Sequence, residues 1–229
     1  MTIVANRLKI LESVEKSRRL SPLASPTITL LAASKGQSAP TIEATIHAGI
    51  VDFGENRVQE TQAKWPELKQ RHPHIRLHLI GPLQTNKVKD ALALFNVIQT
   101  LDREKLAKVM SHELWVMSQN QSHDSQPMTH DFYIQINTGE EPQKAGIAPK
   151  DADAFICFCR DELKLPIVGL MCIPPANQPS APHFALLREI AKRNNLRELS
   201  MGMSGDFETA VRMGSSCVRI GTALFGERK

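Results

Sequence analysis

Aromatic residues are scarce in this sequence of 229 residues: they make up 5% of it, and Tyr133 is the single tyrosine. The formal net charge is only +4, and the lysines and arginines are scattered along the chain. A basic stripe interleaved with stacking rings, which is typical of nucleic-acid-binding proteins, is therefore lacking. We predict no nucleic-acid partner.

Cysteine is also scarce, and the four cysteines do not have the spacing of a metal site. Cys157 and Cys159 fall in a helix-like segment, and Cys172 and Cys217 fall in strand-like segments. We predict four reduced core residues, a cytoplasmic protein and no bound metal. Apolar runs stay well short of the roughly 18 residues of a membrane span, and residues 3–20 form a charged amphipathic helix, so neither export nor membrane insertion is predicted.

Short apolar runs rich in β-branched residues alternate with helical patterns from Thr27 onward. The runs cover residues 27–34, 49–55, 75–81, 95–101, 131–137, 165–173, 196–203 and 217–224. With a helix before the first run, this alternation predicts an α/β fold, a single (β/α)8 TIM barrel with an extra N-terminal helix. A doubly wound sheet is the alternative, but it normally has fewer strands and a glycine-rich turn after the first. The polar stretch 120–131 is predicted to be a surface loop.

The first predicted strand ends in a lysine, Lys35, and chemistry in TIM barrels lies at the C-terminal ends of the strands. Lys35 shares strand parity with Leu31 and Ala33, so it would point into the mouth of the barrel if those two face the interior. Burial there would lower its pKa and favour the neutral amine that forms Schiff bases with aldehydes. The alternative is an ordinary lysine that reaches solvent from a strand end.

The ends of the seventh and eighth strands indicate a phosphate site. MGMSGD (201–206) precedes a helix, and Gly221 and Thr222 follow the last strand. Glycines allow close approach of the backbone to a ligand, and the hydroxyls of Ser204 and Thr222 add donors. Ser204 or Asp206 could instead be an ordinary helix N-cap.

Arg219 lies within the apolar segment CVRIG, where a buried guanidinium needs an acceptor. The carboxylate of Glu55 is one candidate acceptor, with a purely structural role. A ring nitrogen of a ligand is the other. A lysine that condenses with an aldehyde, a phosphate cradle and a donor between them describe a pyridoxal 5′-phosphate (PLP) site.

Six segments, in this order, resemble the YggS/PROSC-type pyridoxal phosphate homeostasis proteins, whose PLP-binding barrel is like the N-terminal domain of alanine racemase. They are LLAASK, FGENRVQE, HLIGPLQTNKVK, IQINTGEEPQKAGI, GLMCIPP and LSMGMSGDFETAVRMGSSCVRIGTALFG. The resemblance implies one PLP-binding TIM-barrel domain over residues 1–229, with PLP as the cofactor. It also implies a monomer that stores, delivers or buffers PLP inside the cell, with recipient PLP apoenzymes as partners.

The resemblance also assigns site residues. Lys35 matches the lysine that holds PLP as an internal aldimine, and Arg219 looks like the arginine facing the pyridine nitrogen. Matches to the phosphate motif and to the segments that line the cofactor are Asn56, His78, Ile80, Gly81, Met201, Ser204, Gly221 and Thr222. Met203 belongs to the same motif as Met201, and both are interpreted as core or cofactor-side packing residues. No catalytic or metal-binding residue is assigned.

This sequence departs from the family pattern at several positions. Gln37 stands where many relatives have a second lysine, and Arg57 stands where an aromatic residue is common. Lone lysines are usually solvated or ion-paired, so no cofactor contact is assigned to Lys87 or Lys144.

The alternative function is a PLP-dependent racemase of the alanine racemase type. Those enzymes use a tyrosine from an additional domain of a partner subunit, whereas this sequence ends seven residues after Thr222 and Tyr133 lies near the start of the fifth strand. Racemisation needs proton transfer on both faces of the α-carbon, and an arginine beside the ring nitrogen weakens the ring as an electron sink. We therefore expect a PLP-binding protein without strong amino-acid-transforming activity, and not an enzyme.

Overall fold

A closed barrel of parallel strands forms the centre of the molecule. The computed structural model describes residues 2–119 and 130–227. Its strands are β1 (Thr29–Ala33), β2 (Asp52–Glu55), β3 (Arg76–Leu79), β4 (Val97–Leu101), β5 (Asp131–Ile136), β6 (Ile167–Cys172), β7 (Glu198–Met203) and β8 (Cys217–Ile220). Each strand pairs in parallel with the next, and β8 also pairs with β1, where Leu31 lies opposite Arg219. The predicted TIM barrel is confirmed.

Helices surround the barrel. They are α1 (Ile3–Arg19), α2 (Ala39–His47), α3 (Val58–Arg71), α4 (Val88–Leu94), α5 (Glu104–Gln119), α6 (Ala152–Cys157), α7 (Ser180–Arg193), α8 (Phe207–Arg212) and α9 (Thr222–Phe225). The predicted N-terminal helix is α1, which packs against α8 and α9. A π-helical turn, Phe158–Glu162, continues α6. Most of the predicted surface loop, residues 120–129, lies outside the described residues.

Local signals explain where several helices begin. The side chain of Thr2 accepts a hydrogen bond from the Ala5 N–H and so caps α1. Ser38 caps α2 in the same way, and a proline follows at the start of that helix. Each cap satisfies a backbone donor that has no partner within its helix.

The main apolar core lies between the strands and the helices. In α3, Trp65 is fully buried and its ring packs edge-on against Phe53 of β2, with 5.2 Å between the ring centroids. The inside of the barrel is different, because it contains polar side chains. Gln99 and Ser200 are completely buried there, and His78 and Arg219 nearly so. This polar interior determines how the site at one end of the barrel is built.

Three sequence predictions need correction. Strand β1 ends at Ala33, so Lys35 lies in a turn two residues beyond the strand. Strand β8 ends at Ile220, because the chain turns into α9 at Thr222. All four cysteines are free, but Cys157 lies on the solvent side of α6 and is exposed, so it is not a core residue.

Within residues 2–119 and 130–227, no helix is both long and apolar enough to cross a membrane. The same residues contain no group of three or more histidine, cysteine or acidic side chains that could hold a metal ion.

Candidate functional site

A cavity of about 380 Å³ opens at the C-terminal ends of the strands, a size typical of small-molecule sites. Its walls come from segments that follow β1, β2, β3, β6, β7 and β8. The lining residues are Ala33, Lys35, Gln37, Asn56, Ile80, Ile173, Met203, Ser204, Gly205, Arg219, Gly221, Thr222, Phe225 and Gly226. Among these described lining residues, only Lys35 and Arg219 carry ionisable side chains.

Lys35 is presented to the cavity by the turn that follows β1. Its neighbour two residues earlier, Ala33, also lines the cavity, as their shared parity predicts. Lys35 is half-buried, and its amine has no hydrogen-bond or ion-pair partner within the described part of the chain. An unpaired amine in a cavity wall is available to a ligand.

Arg219 contributes a nearly buried guanidinium, 4% exposed, to the floor of the cavity. Its Nη1 donates to the carbonyl oxygen of Ser200 at 2.6 Å and to the Ser200 hydroxyl at 2.7 Å, and its Nη2 donates to the carbonyl oxygen of Cys172 at 2.8 Å. Glu55, the structural partner considered for Arg219 from the sequence, is instead bound by Ser34, Lys64 and Trp65. That alternative is therefore wrong.

Burial governs the electrostatics around Arg219. It lowers the pKa of the guanidinium from its usual very high value, although an arginine keeps its proton in proteins. Burial also raises the pKa of the Cys172 thiol to about 12 and that of the Cys217 thiol to about 11. Both neighbouring thiols are therefore neutral, and neither acts as a counter-ion for Arg219.

A polar series runs from Arg219 through the inside of the barrel, and its members are Arg219, Ser200, Gln99, His78 and Asp52. The Ser200 hydroxyl donates to Gln99 Oε1 at 2.6 Å, and Gln99 Nε2 donates to His78 Nδ1 at 3.0 Å. The His78 proton is therefore on Nε2, which lies 2.9 Å from Asp52 Oδ1 and donates to it. The orientation of Arg219 is thus tied to residues at the opposite end of the barrel.

The loops after β7 and β8 offer hydrogen-bond donors at another wall of the cavity. The Ser204 hydroxyl accepts a hydrogen bond from the Ala223 N–H at 3.2 Å, which joins the two loops and leaves the hydroxyl proton free to donate. The backbone N–H groups of Gly205 and Gly221 have no partner among the residues that the structure covers. Gly205 faces open space, and a side chain there would enter it. These groups suit an anion.

Asp206 occupies the N-cap position of α8, but its side chain does not cap that helix. Its Oδ1 accepts from the Met203 N–H at 2.7 Å instead. Asp206 therefore shapes the turn that carries Ser204. Ser204 is not an ordinary N-cap of α8 either, because its hydroxyl accepts a hydrogen bond from the Ala223 N–H of α9.

Seven of the predicted site residues line the cavity together: Lys35, Asn56, Ile80, Ser204, Arg219, Gly221 and Thr222. Gly81 is a neighbour of the cavity and does not line it. A Cβ on Gly81 would lie 2.3 Å from the Asn56 carbonyl oxygen, so this glycine allows Asn56 to approach the end of β3.

Neither His78 nor Met201 lies in the cavity wall: His78 is a correction, and Met201 has the core-packing role considered from the sequence and not a cofactor contact. His78 shares strand parity with Ile80, but it lies one layer deeper in the barrel, where Asp52 and Gln99 occupy both ring nitrogens. Met201 follows the inward-facing Ser200, so alternation along β7 turns it outward into the core between sheet and helices. The irregular register after Ser200 brings Met203 to the cavity instead.

Met203 lies in the apolar part of the wall, in keeping with the cofactor-side packing predicted for it, but sequence reasoning missed Ile173 and Phe225 of that wall and the interior residues Gln99 and Ser200. A signal existed for the last two. Each is a polar residue within an otherwise apolar strand, and strands buried on both faces are usually continuous apolar runs.

A family model described as "Alanine racemase, N-terminal domain" matches residues 16–229. A "Pyridoxal phosphate homeostasis protein" of Aquifex aeolicus is 34% identical over 230 residues, which cover 96% of each chain. One of Pseudomonas aeruginosa is 35% identical over 99% of this chain and 96% of its own. This chain belongs to the family of pyridoxal phosphate homeostasis proteins.

Solved structures agree with membership of the pyridoxal phosphate homeostasis family. PipY of Synechococcus elongatus, in a structure with PLP bound, has a TM-score of 0.75 and 31% identity, and the match covers 93% of this chain and all of PipY. PipY without PLP has a TM-score of 0.78 and 33% identity over 94% of this chain and 99% of PipY. An alanine racemase of Clostridium difficile has a TM-score of 0.69 at 12% identity, over 95% of this chain and 56% of the racemase, which shows a shared fold only.

The cavity at the C-terminal ends of the strands, which contains Lys35 and Arg219, is called the mouth cavity from here on. Its residues fit the chemical groups of PLP. The unpaired Lys35 amine suits an aldehyde, and the donors of Ser204, Gly205 and Gly221 suit a phosphate. The open space beside Gly205 would be closed by any side chain at that position. The sequence predicts this role for Lys35 and for the phosphate-binding loops after β7 and β8.

Proposed function

We propose that this protein binds PLP in the mouth cavity, covalently attached to Lys35, and takes part in intracellular PLP homeostasis by storing, delivering or buffering it. The observation that carries this proposal is the pairing of one unpartnered amine with hydrogen-bond donors on another wall of the same cavity. The curated relatives carry the name pyridoxal phosphate homeostasis protein, and PipY has a structure with PLP bound.

Each part of the cavity has a role in this proposal. Lys35 Nζ condenses with the PLP aldehyde, so that a C=N bond forms and the aldehyde oxygen leaves as water with the two protons of the amine. Ser204, Thr222 and the N–H groups of Gly205 and Gly221 hold the phosphate, and Arg219 donates toward the ring nitrogen. When bound, PLP can stabilise negative charge on the α-carbon of an attached amino acid.

An enzyme with strong amino-acid turnover is the less favoured function. Racemisation needs a proton donor or acceptor on each face of the α-carbon, and the described cavity wall offers only Lys35 and Arg219 as ionisable groups. Tyr133 lies in a different cavity at the N-terminal end of the barrel, where burial raises the pKa of its phenol. An arginine that retains its proton also leaves the ring nitrogen unprotonated, which weakens the ring as an electron sink.

Absorption spectroscopy tests the binding proposal. The purified protein, mixed with PLP, should gain a visible absorption band, and borohydride should fix the pyridoxyl group to a peptide containing Lys35. Mass spectrometry that finds the reduced adduct mainly on Lys87 or Lys144 in the unmutated protein would reject the assignment. The absence of any band would reject the cofactor.

Amino-acid turnover tests the carrier proposal. Chiral analysis of alanine incubated with the PLP-loaded protein should show negligible racemisation, and transamination should be negligible too. Racemisation at ordinary enzymatic rates, about 1–10³ s⁻¹, would overturn the carrier proposal.

A carrier of this kind would act as a monomer in the cytoplasm and would deliver PLP to recipient apoenzymes. Sedimentation of the loaded protein should give a mass near 25.5 kDa. The loaded protein should activate a PLP-dependent apoenzyme faster than does PLP that has first dissociated from the protein on dilution. Equal rates would argue for storage and not for delivery.

A further inference from the structure

Lys64 of α3 lies beneath the turn that carries Lys35. Its side chain is only 11% exposed, and its Nζ lies 2.8 Å from Glu55 Oε1 and 3.3 Å from Glu60 Oε1. The same Nζ donates to the carbonyl oxygens of Ser34 and Gln37, at 3.4 Å each. One ammonium group therefore contacts the backbone on both sides of Lys35.

The two carboxylates that bind Lys64 hold the same turn. Glu60 Oε1 accepts from the Gly36 N–H at 2.7 Å, directly after Lys35. Glu55 Oε1 accepts from the Ser34 hydroxyl at 2.7 Å, directly before it. Together with Lys64 they form what we call the turn clamp (Glu55, Glu60 and Lys64).

Glu55 and Lys64 are shielded from water, whereas the Glu60 side chain is 35% exposed. Glu55 is completely buried, and its Oε1 also accepts from the Trp65 indole N–H at 2.9 Å. Burial acts to raise the pKa of Glu60, but the Gly36 N–H and the charge of Lys64 outweigh it, so the pKa is lowered. The members of the clamp depend on one another, because Lys64 Nζ lies between the two carboxylates and loss of one partner leaves a buried polar group without its contact.

The backbone itself closes the turn: the Gln37 N–H donates to the Ser34 carbonyl oxygen at 3.0 Å, and the Ser34 N–H donates to the Gly54 carbonyl oxygen at 2.9 Å. Gly36 has a φ of +71°, and a Cβ built on it would have no atom within 4 Å, so the turn is open on that side. The amine of Lys35 has no partner in the described chain. The backbone bonds close the turn, and the contacts of the clamp hold it against α3, so both set the direction in which Lys35 leaves the backbone.

We propose that Lys64, through the turn clamp, is a positioning residue that aims Lys35 at the aldehyde of the bound ligand. This inference rests on the proposed function. It assigns Lys64 a role in covalent attachment only, because Lys64 does not line the mouth cavity.

The test compares two ligands that share the phosphate and the ring. PLP has an aldehyde that condenses with Lys35, whereas pyridoxine 5′-phosphate has an alcohol that cannot. In the full-length Lys64→Met variant we expect the apparent affinity for PLP to fall by roughly 10–100-fold, since small misplacements of reacting groups have effects of that size. Affinity for pyridoxine 5′-phosphate should change less than about twofold.

Lys69→Met is the matched control. Lys69 is on the same helix and is partly buried, but its Nζ donates to the Leu94 carbonyl oxygen at 3.0 Å, away from the cavity. Its replacement should leave both affinities unchanged. A second variant, Lys64→Met with Glu55→Gln, removes the buried carboxylate that Lys64 would otherwise leave unpaired, and it should show the same selective loss at a temperature where circular dichroism shows it folded.

Three results would overturn the inference. One is covalent attachment at the unmutated level in both Lys64 variants. Another is an equal loss of affinity for PLP and for pyridoxine 5′-phosphate, which would mean that Lys64 supports the cavity as a whole. If the unmutated protein itself fails to attach PLP to Lys35 yet binds pyridoxine 5′-phosphate, the proposed function fails first, and the inference fails with it.

Discussion

The two ends of the barrel differ in how their polar groups are paired. At the mouth, the Lys35 amine and the N–H groups of Gly205 and Gly221 lack partners among the described residues. At the N-terminal end, Asp52 is 2.9 Å from His78, and Arg76 is 2.7 Å from Asp131. Yet the cavity at the N-terminal end, about 520 Å³, is larger than the mouth cavity of about 380 Å³.

Cavity size is therefore a poor guide to the ligand-binding site in this barrel. Groups that already have partners gain little from a ligand, because a new hydrogen bond only replaces an old one. Donors without a protein partner exchange only water for a ligand, so no contact within the protein is lost. The mouth therefore differs from the larger cavity in its unpaired amine and backbone donors, whereas the inward-facing Asp52 and His78 of the larger cavity are paired with each other.

The largest expected effect is at Lys35. Replacing it with alanine should abolish the visible absorption band and the borohydride-stable adduct, because the reacting amine is gone. Lys87→Ala is the control, since Lys87 lies nearby on a different loop, with its Nζ 3.7 Å from Asp90. A band of unchanged intensity in the Lys35 variant would show that another lysine reacts.

A smaller loss is expected when the phosphate donors are removed. The double substitution Ser204→Ala and Thr222→Ala deletes two hydroxyls and keeps the backbone N–H groups, and each hydrogen bond to a charged group is worth roughly 1.5–3 kcal/mol. Affinity for PLP, measured by titration, should fall at least about tenfold. Affinity for pyridoxal, which has no phosphate, should stay the same, and a parallel loss would place the phosphate elsewhere.

Breaking the polar series that joins the two ends should have a modest effect. Ser200→Ala removes the hydroxyl between Arg219 and Gln99 but keeps the Ser200 carbonyl contact. The preference for PLP over an analogue with carbon at the ring-nitrogen position should shrink about threefold to tenfold, the effect of weakening one hydrogen bond.

Ser215→Ala is the control for that experiment, because the buried Ser215 hydroxyl bonds only to backbone carbonyl oxygens. It should leave the preference intact. An unchanged preference in the Ser200 variant would show that Arg219 is oriented without the series.

The smallest effect on PLP affinity is expected at the N-terminal end of the barrel. There, we expect His78 to contribute to the pH dependence of stability. Burial lowers the pKa of His78, and the hydrogen bond with Asp52 only partly opposes this. Below pH about 6.5 the unfolded chain takes up a proton that the folded protein does not, so stability falls as the pH drops toward the lowered folded pKa.

In the His78→Asn variant, the free energy of unfolding should depend less steeply on pH. Its slope should be smaller by up to about 1.4 kcal/mol per pH unit, measured by urea unfolding between pH 7.5 and 5.5. Binding of PLP at pH 7.5 should change less than about twofold. A tenfold loss of binding would give His78 a place in the site after all.

The barrel was predictable because eight apolar runs and the intervening helices have clear periodicities. The side on which Lys35 lies was also predictable, because alternation along β1 relates it to Ala33 and Leu31. Strand ends were less accurate: Lys35 falls in a turn and Thr222 in a helix, since the last hydrogen bonds of a strand depend on its neighbours.

Depth along the barrel was not predictable from the sequence. His78 and Ile80 have the same parity, and only the register of β3 against β2 and β4 places one deep inside and the other at the mouth. Along β7, regular alternation turns Met201 into the core, whereas the irregular register after Ser200, which the sequence does not show, brings Met203 to the cavity. The barrel order places β6 and β7 beside β8, but it does not show that the Arg219 side chain reaches the carbonyl oxygens of Ser200 and Cys172 on those strands.

Pairing of β1 with β8 has a consequence for how the protein is made. Lys35 comes from the first strand, whereas Arg219, Gly221 and Thr222 come from the last strand and the turn after it. During synthesis the amine leaves the ribosome long before the groups that complete its cavity. A nascent chain that still lacks its last strand has only part of the cavity wall, so tight capture of a ligand has to wait until the barrel closes.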